Sequence, residues 1–369
     1  MTRESASPSS HSSGATNSRQ RPRVLAQPSR RTPRIRSLSP ESGLRSRLTL
    51  RFGGEGRGEG AASSSSCWIN CAFVMLAALL IAGCSPGSDA PTLEFGLVRS
   101  LSMPPEGPKI PAPRGATFDS DGTLYVLDDA GRVLVFDQHG KLLRKWFMPE
   151  YSVGKPEGVW RFLDGRIVVA DTHYHRVVIF DAEGNVVAMR GERGDGPGQF
   201  EYPIAITQDP HGNYYVAEYG GNDRVQKFDV DGNWLLEFGE FGINDGEFQR
   251  PSGIVWQDGF LYVVDAINNR VQVFRDSGEF VRIAGAPDNR PAVQYPYDLA
   301  QDAGGNLWVV EYGGNRVTKM TVEGQTLGVF GSSGGGSGQF STPWGIAVAA
   351  DGRVIVCDTG NRRLVELVP

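Results

Sequence analysis

Between residues 246 and 285, apolar and polar positions alternate in four short runs: Pro251 to Val255, Phe260 to Asp265, Arg270 to Phe274 and Phe280 to Ala284. Asp258-Gly259 and Ser277-Gly278 fall between them. A period of two over runs of this length, broken by tight-turn dipeptides, predicts four antiparallel β-strands. One such sheet has two apolar faces and nothing to cover them, so it must stack on copies of itself.

The copies are present. An acid closing the second strand recurs at Asp128, Asp171, Glu218, Asp265, Glu311 and Asp358, at spacings of 43 to 47 residues. An Arg opens the third strand four to six residues later, at Arg132, Arg176, Arg224, Arg270, Arg316 and Arg362 or Arg363. A Pro opens each first strand: Pro113, Pro156, Pro203, Pro251, Pro296 and Pro343. Six copies of a four-strand unit predict an all-β fold, a six-bladed β-propeller of four-stranded antiparallel blades. The last copy supplies only three strands, Gly345 to Ala349, Val354 to Asp358 and Leu364 to Val368. Its outer strand is therefore expected from Leu93 to Leu101, paired with Leu364 to Val368, which removes an exposed edge and ties the first blade to the last.

Phe200, Pro203, Asp171, Asn269-Arg270-Val271 and Phe274 carry a pattern that resembles the NHL repeat, and the resemblance extends over residues 91–369. It implies a propeller that serves as a binding module, a sensor domain or, less commonly, an enzyme. A shared fold does not choose among these, so function must be sought in what differs between blades.

The chain upstream is of another kind. Residues 1–66 are rich in Ser, Arg, Pro and Gly without apolar periodicity, and a disordered extension is expected there. Residues 67–83 contain the apolar run Trp68 to Ala82, shorter than the roughly 20 residues of a membrane span and suited to a signal-peptide core. Leu80-Ile81-Ala82-Gly83-Cys84 resembles a bacterial lipoprotein signal, although no Lys or Arg stands immediately before the apolar core. That resemblance implies a lipid on Cys84, a tether over 84–92, and a propeller of residues 93–369 held outside the cytoplasm at a membrane of the cell envelope. Cys67 and Cys71 would leave with the signal, and Cys357, on a predicted inner strand, is expected to be a small core residue.

Charge narrows the partners. Residues 1–83 hold twelve Arg and four acids, a net +8, so against −5 for the whole chain the remainder carries −13. An acidic propeller argues against nucleic acid, whose phosphates demand a basic patch.

Candidate chemistry is sought on the rim opposite the tight hairpins, where the longer links run from Glu192 to Gln199, Glu240 to Gln249, Ala286 to Tyr295 and Ser332 to Gln339. Arg114, Glu157, Tyr297 and Trp344 are expected around the channel mouth, with His173, Tyr174, Tyr219, Tyr312 and Ile267 outside it. Exposed aromatic residues beside an Arg suggest a contact surface for a protein, peptide or glycan. Alternation assigns Gly115, Gly158, Ala205, Gly253 and Gly345 to the channel side, where Asp298 alone carries a charge. No cofactor is expected on this reading. The alternative is a hydrolase or lyase with Ca or Zn at Asp298 and Glu157, a poor ligand set for either metal. A lyase resemblance would also imply His ligands from several blades, whereas His173 and His175 share one loop and His175 sits at the turn position of Asn269, Asn315 and Asn361. The six repeated acids are expected to fix loops through backbone amides and their Arg.

Overall fold

The computed structural model describes residues 90–284 and 293–369. The Arg-rich extension, the apolar run, Cys84 and most of the link from Ala286 to Tyr295 lie outside those residues. Within them the strands build six four-stranded antiparallel sheets. Their first strands, Pro113–Phe118, Gly158–Arg161, Tyr202–Gln208, Pro251–Gln257, Pro296–Gln301 and Ile346–Val348, pack each against the next and the sixth against the first. The fold is a six-bladed propeller, numbered here from blade 1 at Pro113.

Alternation along the inner strands decides the core. In blade 1, Tyr125 and Leu127 face blade 2 and meet Ile167 and Val169. Leu124 and Val126, on the other face, meet Ile355 and Cys357 of blade 6. Each such fully buried side chain contributes about 1.5–3 kcal/mol, and none could do so in an isolated blade. Cys357 is one of these packing residues, and burial pushes its thiol pKa up, away from a reactive thiolate.

The outer strand of blade 6 is Leu97–Ser102, antiparallel to Arg363–Val368, with Leu97 opposite Val368 and Leu101 opposite Leu364. It begins four residues later than the sequence suggests. Leu93 instead donates its N–H to the Val329 carbonyl of blade 5, and Phe95 settles between Phe330 and Trp308 at 5.0 and 6.2 Å. Both side chains are half-buried there, against blade 5.

The repeated acids are fully buried and serve architecture. Asp265 accepts hydrogen bonds from the Gln249 backbone, Asn268, Arg270 and Gln272. Arg270 then donates to the carbonyls of Asn244 and Glu247 in the link before the blade. Glu218 with Arg224 and Asp358 with Arg363 repeat the arrangement, which assigns the last Arg of the series to Arg363. A second device runs between blades. Asp223, Asn269 and Asn315 sit at positive φ and accept the backbone N–H of Arg250, Tyr295 and Thr342, each at 2.7 Å, at the start of the following blade. His175, at the same turn position with φ 56°, contacts the Glu201 carbonyl through Nδ1 instead.

Candidate functional site

The residue after the opening Pro is Arg114, Glu157, Ile204, Ser252, Tyr297 and Trp344 in blades 1 to 6. In four blades the strand register slips at that point, between Pro113 and Gly115, Pro203 and Ala205, Pro251 and Gly253, and Pro296 and Asp298. A β-bulge re-aims the extra residue, and all six side chains line the central cavity.

They meet over the channel. Tyr297 of blade 5 donates its hydroxyl to Glu157 of blade 2 at 3.0 Å and accepts from Arg250 of blade 4 at 2.7 Å. Blades 2 and 5 stand opposite one another in a ring of six, so this bond crosses the bore. Trp344 stacks on Tyr297 at 4.9 Å, and the Arg114 guanidinium lies over Trp344 at 4.3 Å. Glu157 also faces Arg114 at 3.5 Å and Arg250 at 3.9 Å. Arg250 continues the stack over Tyr219 at 4.5 Å, and Tyr219 stacks on Tyr202 at 5.2 Å. One carboxylate and two guanidinium groups, wedged between aromatic rings, close the mouth as a plug.

This placement corrects the expectation of an exposed aromatic mouth. Tyr297 is 5% exposed and Glu157 7%, because each is pinned by groups reaching from other blades. Burial and the Glu157 charge hold the Tyr297 phenol well above its ordinary pKa, so it stays a hydrogen-bond donor. Tyr219, half-buried, is pushed up to about 12, chiefly by burial. Tyr312 is half-buried against Tyr295 and Tyr297. His173 meets the Lys155 carbonyl and the Tyr202 ring, while Tyr174 accepts the N–H groups of Ser152 and Val153. His173 and Tyr174 thus order the loop before blade 2, and His173 touches the outer end of the aromatic stack at Tyr202.

Arg250 and Tyr202 are the participants that the sequence did not reveal. Both stand just before the opening Pro, a position where extended backbone is the norm. Arg250 instead takes φ 62°, held by the bond from its N–H to Asp223, and its side chain reaches across to Tyr297. The departure at positions 112, 155, 202, 250, 295 and 342 from any shared residue type was the available signal.

Asp298 and Glu157 line the same cavity but hold different partners. Glu157 is committed to the plug, and Asp298 accepts the N–H groups of Leu299 and Ile346 at 2.8 and 3.2 Å. The described residues contain no group of three or more His, Cys, Asp or Glu able to hold a metal. The glycines and Ala205 at the Asp298 level chiefly permit close approach of neighbouring first strands. A Cβ on Gly158 would fall 2.1 Å from the Ile204 carbonyl.

Removing the Tyr297 hydroxyl strips a buried carboxylate and a guanidinium of one partner each. Tyr297→Phe is expected to cost about 1.5–3 kcal/mol, read as a lowered denaturation midpoint with near-native circular dichroism.

On the same loop-rich face lies a different kind of surface. Phe241, Ile243 and Ile267 are 62%, 69% and 49% exposed. Asn268 donates to the Gly242 carbonyl, which brings the two loops that carry them together. The link before blade 3 has Arg193 and Asp195 where this one has Phe241 and Ile243, and the link before blade 6 has Ser333 and Gly335. All three links keep the same backbone bond, from Gly194, Gly242 and Gly334 to the carbonyls of Phe200, Phe248 and Phe340. The fold therefore does not require apolar residues at these tips.

Known proteins show the same repeat. A family model described as NHL repeat matches residues 340–367, the end of the blade 5 to 6 link and the inner strands of blade 6. NHL repeat-containing protein 3 of Mus musculus is 32% identical over 201 residues, which cover 47% of this chain and 56% of that protein. The chain thus spans little more than half of that relative's length. Among solved structures, a gluconolactonase from Xanthomonas campestris superposes with a TM-score of 0.56 at 18% identity, covering 76% of this chain and 94% of that one. Virginiamycin B lyase from Staphylococcus aureus gives 0.54 at 17%, covering 75% and 100%. At such identities the likeness is one of fold.

Proposed function

We propose that this chain is a membrane-tethered NHL-repeat propeller that acts as a binding module, holding a protein or peptide against the loop-rich face of blade 4. The observation that carries the reading is the patch of Phe241, Ile243 and Ile267, three exposed apolar residues at loop tips that sister links build from polar or small residues. Exposed apolar clusters on a soluble surface mark contact sites, and loop variation on a fixed scaffold is how repeat folds acquire partners. The plug supports the same reading, since a mouth crossed by a hydrogen bond between opposite blades offers a platform and no open pit.

A photo-reactive residue at position 243 or 267 should give a discrete crosslinked species in intact cells, and the same residue at Val187 on the outer strand of blade 2 should not. Equal labelling at all three positions, or none at the patch, counts against the site. The tether rests on the lipoprotein-like signal alone and is tested separately. Cys84→Ser should abolish incorporation of labelled fatty acid and move the protein from the membrane pellet to the soluble fraction.

A further inference from the structure

The channel beneath the plug is unused by the reading above. It encloses about 310 Å³ and is lined by the first strands of all six blades. Its upper end is crossed by the bond from Tyr297 to Glu157. At the hairpin rim Phe118, Trp160 and Trp256 are only half-buried, so this end keeps a share of solvent. Between the two ends the wall is apolar, with Val159, Ile254 and Leu299 among its buried residues.

One polar group in this wall lacks a hydrogen-bond partner, and a second lacks a counter-charge. Ser252 is 4% exposed and its hydroxyl has no hydrogen-bond partner among the described residues. Asp298 has its two backbone donors, and no cation pairs with it among the described residues. The other charged groups facing the cavity are engaged or remote. Arg114 and Glu157 are paired in the plug, and Arg161 stands three residues nearer the rim along its strand, roughly 10 Å away at strand rise. The buried Cys357 thiol lies near Asp298 and feels its charge. Asp298 is half-buried in the channel wall, and desolvation of its carboxylate without a counter-charge raises its pKa to about 7.

We propose that the channel is a binding site, entered from the hairpin rim, for a small molecule with a protonated amine on an apolar or aromatic body. The ammonium would pair with Asp298 and donate to the Ser252 hydroxyl. The body would lie along the apolar wall, and the rim aromatic residues would favour a ring or a cation in passage. A neutral isostere would leave the carboxyl uncompensated.

The probes are 2-phenylethylamine and 2-phenylethanol, titrated against the purified propeller and followed by calorimetry. The amine should bind at least about tenfold more tightly than the alcohol, as expected for a cation pairing with a desolvated carboxylate. Because only the ionised carboxylate pairs, the amine affinity should rise about tenfold from pH 6 to pH 8. Asp298→Asn should abolish the preference for the amine. Should that variant fail to fold, Ala300→Phe, which narrows the channel toward the rim and leaves Asp298 in place, should abolish binding of the amine. Equal binding of amine and alcohol, no binding of either at millimolar concentration, or an unchanged amine affinity in folded Asp298→Asn or Ala300→Phe would overturn the proposal. Ile267→Asp should leave amine binding intact, so the two sites stand or fall independently.

Discussion

Asp265→Ala is expected to lower the unfolding free energy by about 3–5 kcal/mol, the cost of leaving a buried charge without its partner. The carboxylate is fully buried, and its loss strands the Arg270 guanidinium, the Gln249 N–H, Asn268 and Gln272 together. Arg270 in turn holds the link that carries Phe241 and Ile243, so the crosslink at position 243 should weaken with the fold. A calorimetric or denaturant midpoint that shifts by the equivalent of less than about 1 kcal/mol would show that the buried acids are ornament. Asp171→Ala should cost less. Arg176 pairs with Asp171, but the Oδ1 atom of Asp171 is buried without a partner among the described residues, and burial already raises its pKa to about 6.

The second large effect concerns the seam. A chain that starts at residue 104 loses the strand Leu97–Ser102 and the buried Met103, which packs with Ala116, Val126 and Ile355. Arg363–Val368 would then present an unpaired edge and an uncovered apolar face. The shortened protein is expected to aggregate or associate edge to edge, seen as high-mass material in size-exclusion chromatography. A monomer with the midpoint of the longer chain would mean that the pairing contributes little to closure.

Much of this was legible in the sequence, and the reason is repetition. Six acids and six arginines at constant offsets cannot all be catalytic, and their burial in every blade shows the structural use of a feature shared by all copies. The positions after the opening Pro were also legible as a set, and Arg114, Glu157, Tyr297 and Trp344 come together over the cavity. Their exposure was not legible. Whether Tyr297 faces solvent depends on Glu157, 140 residues away, and on Arg250, whose left-handed backbone no local preference announces. Side chains that cross a bore are specified by the diameter of the ring, which belongs to no single repeat.

The turn residues that reach from one blade to the next carry a last implication. Asp223, Asn269 and Asn315 hold the starts of blades 4, 5 and 6, and Thr359 donates to the Pro113 carbonyl at the start of blade 1. Among the described residues, no such bond runs from the turn of blade 1 to the start of blade 2. That blade bonds its second strand first through the Glu157 N–H and enters the ladder at Gly158, where its sisters with a bulge pair from the Pro or earlier. If the circle parts anywhere short of full unfolding, it parts at this joint. Amide hydrogens of residues 158–161 should then trade with deuterium soonest among the six innermost segments, and that order can be read in a single mass-spectrometric time course.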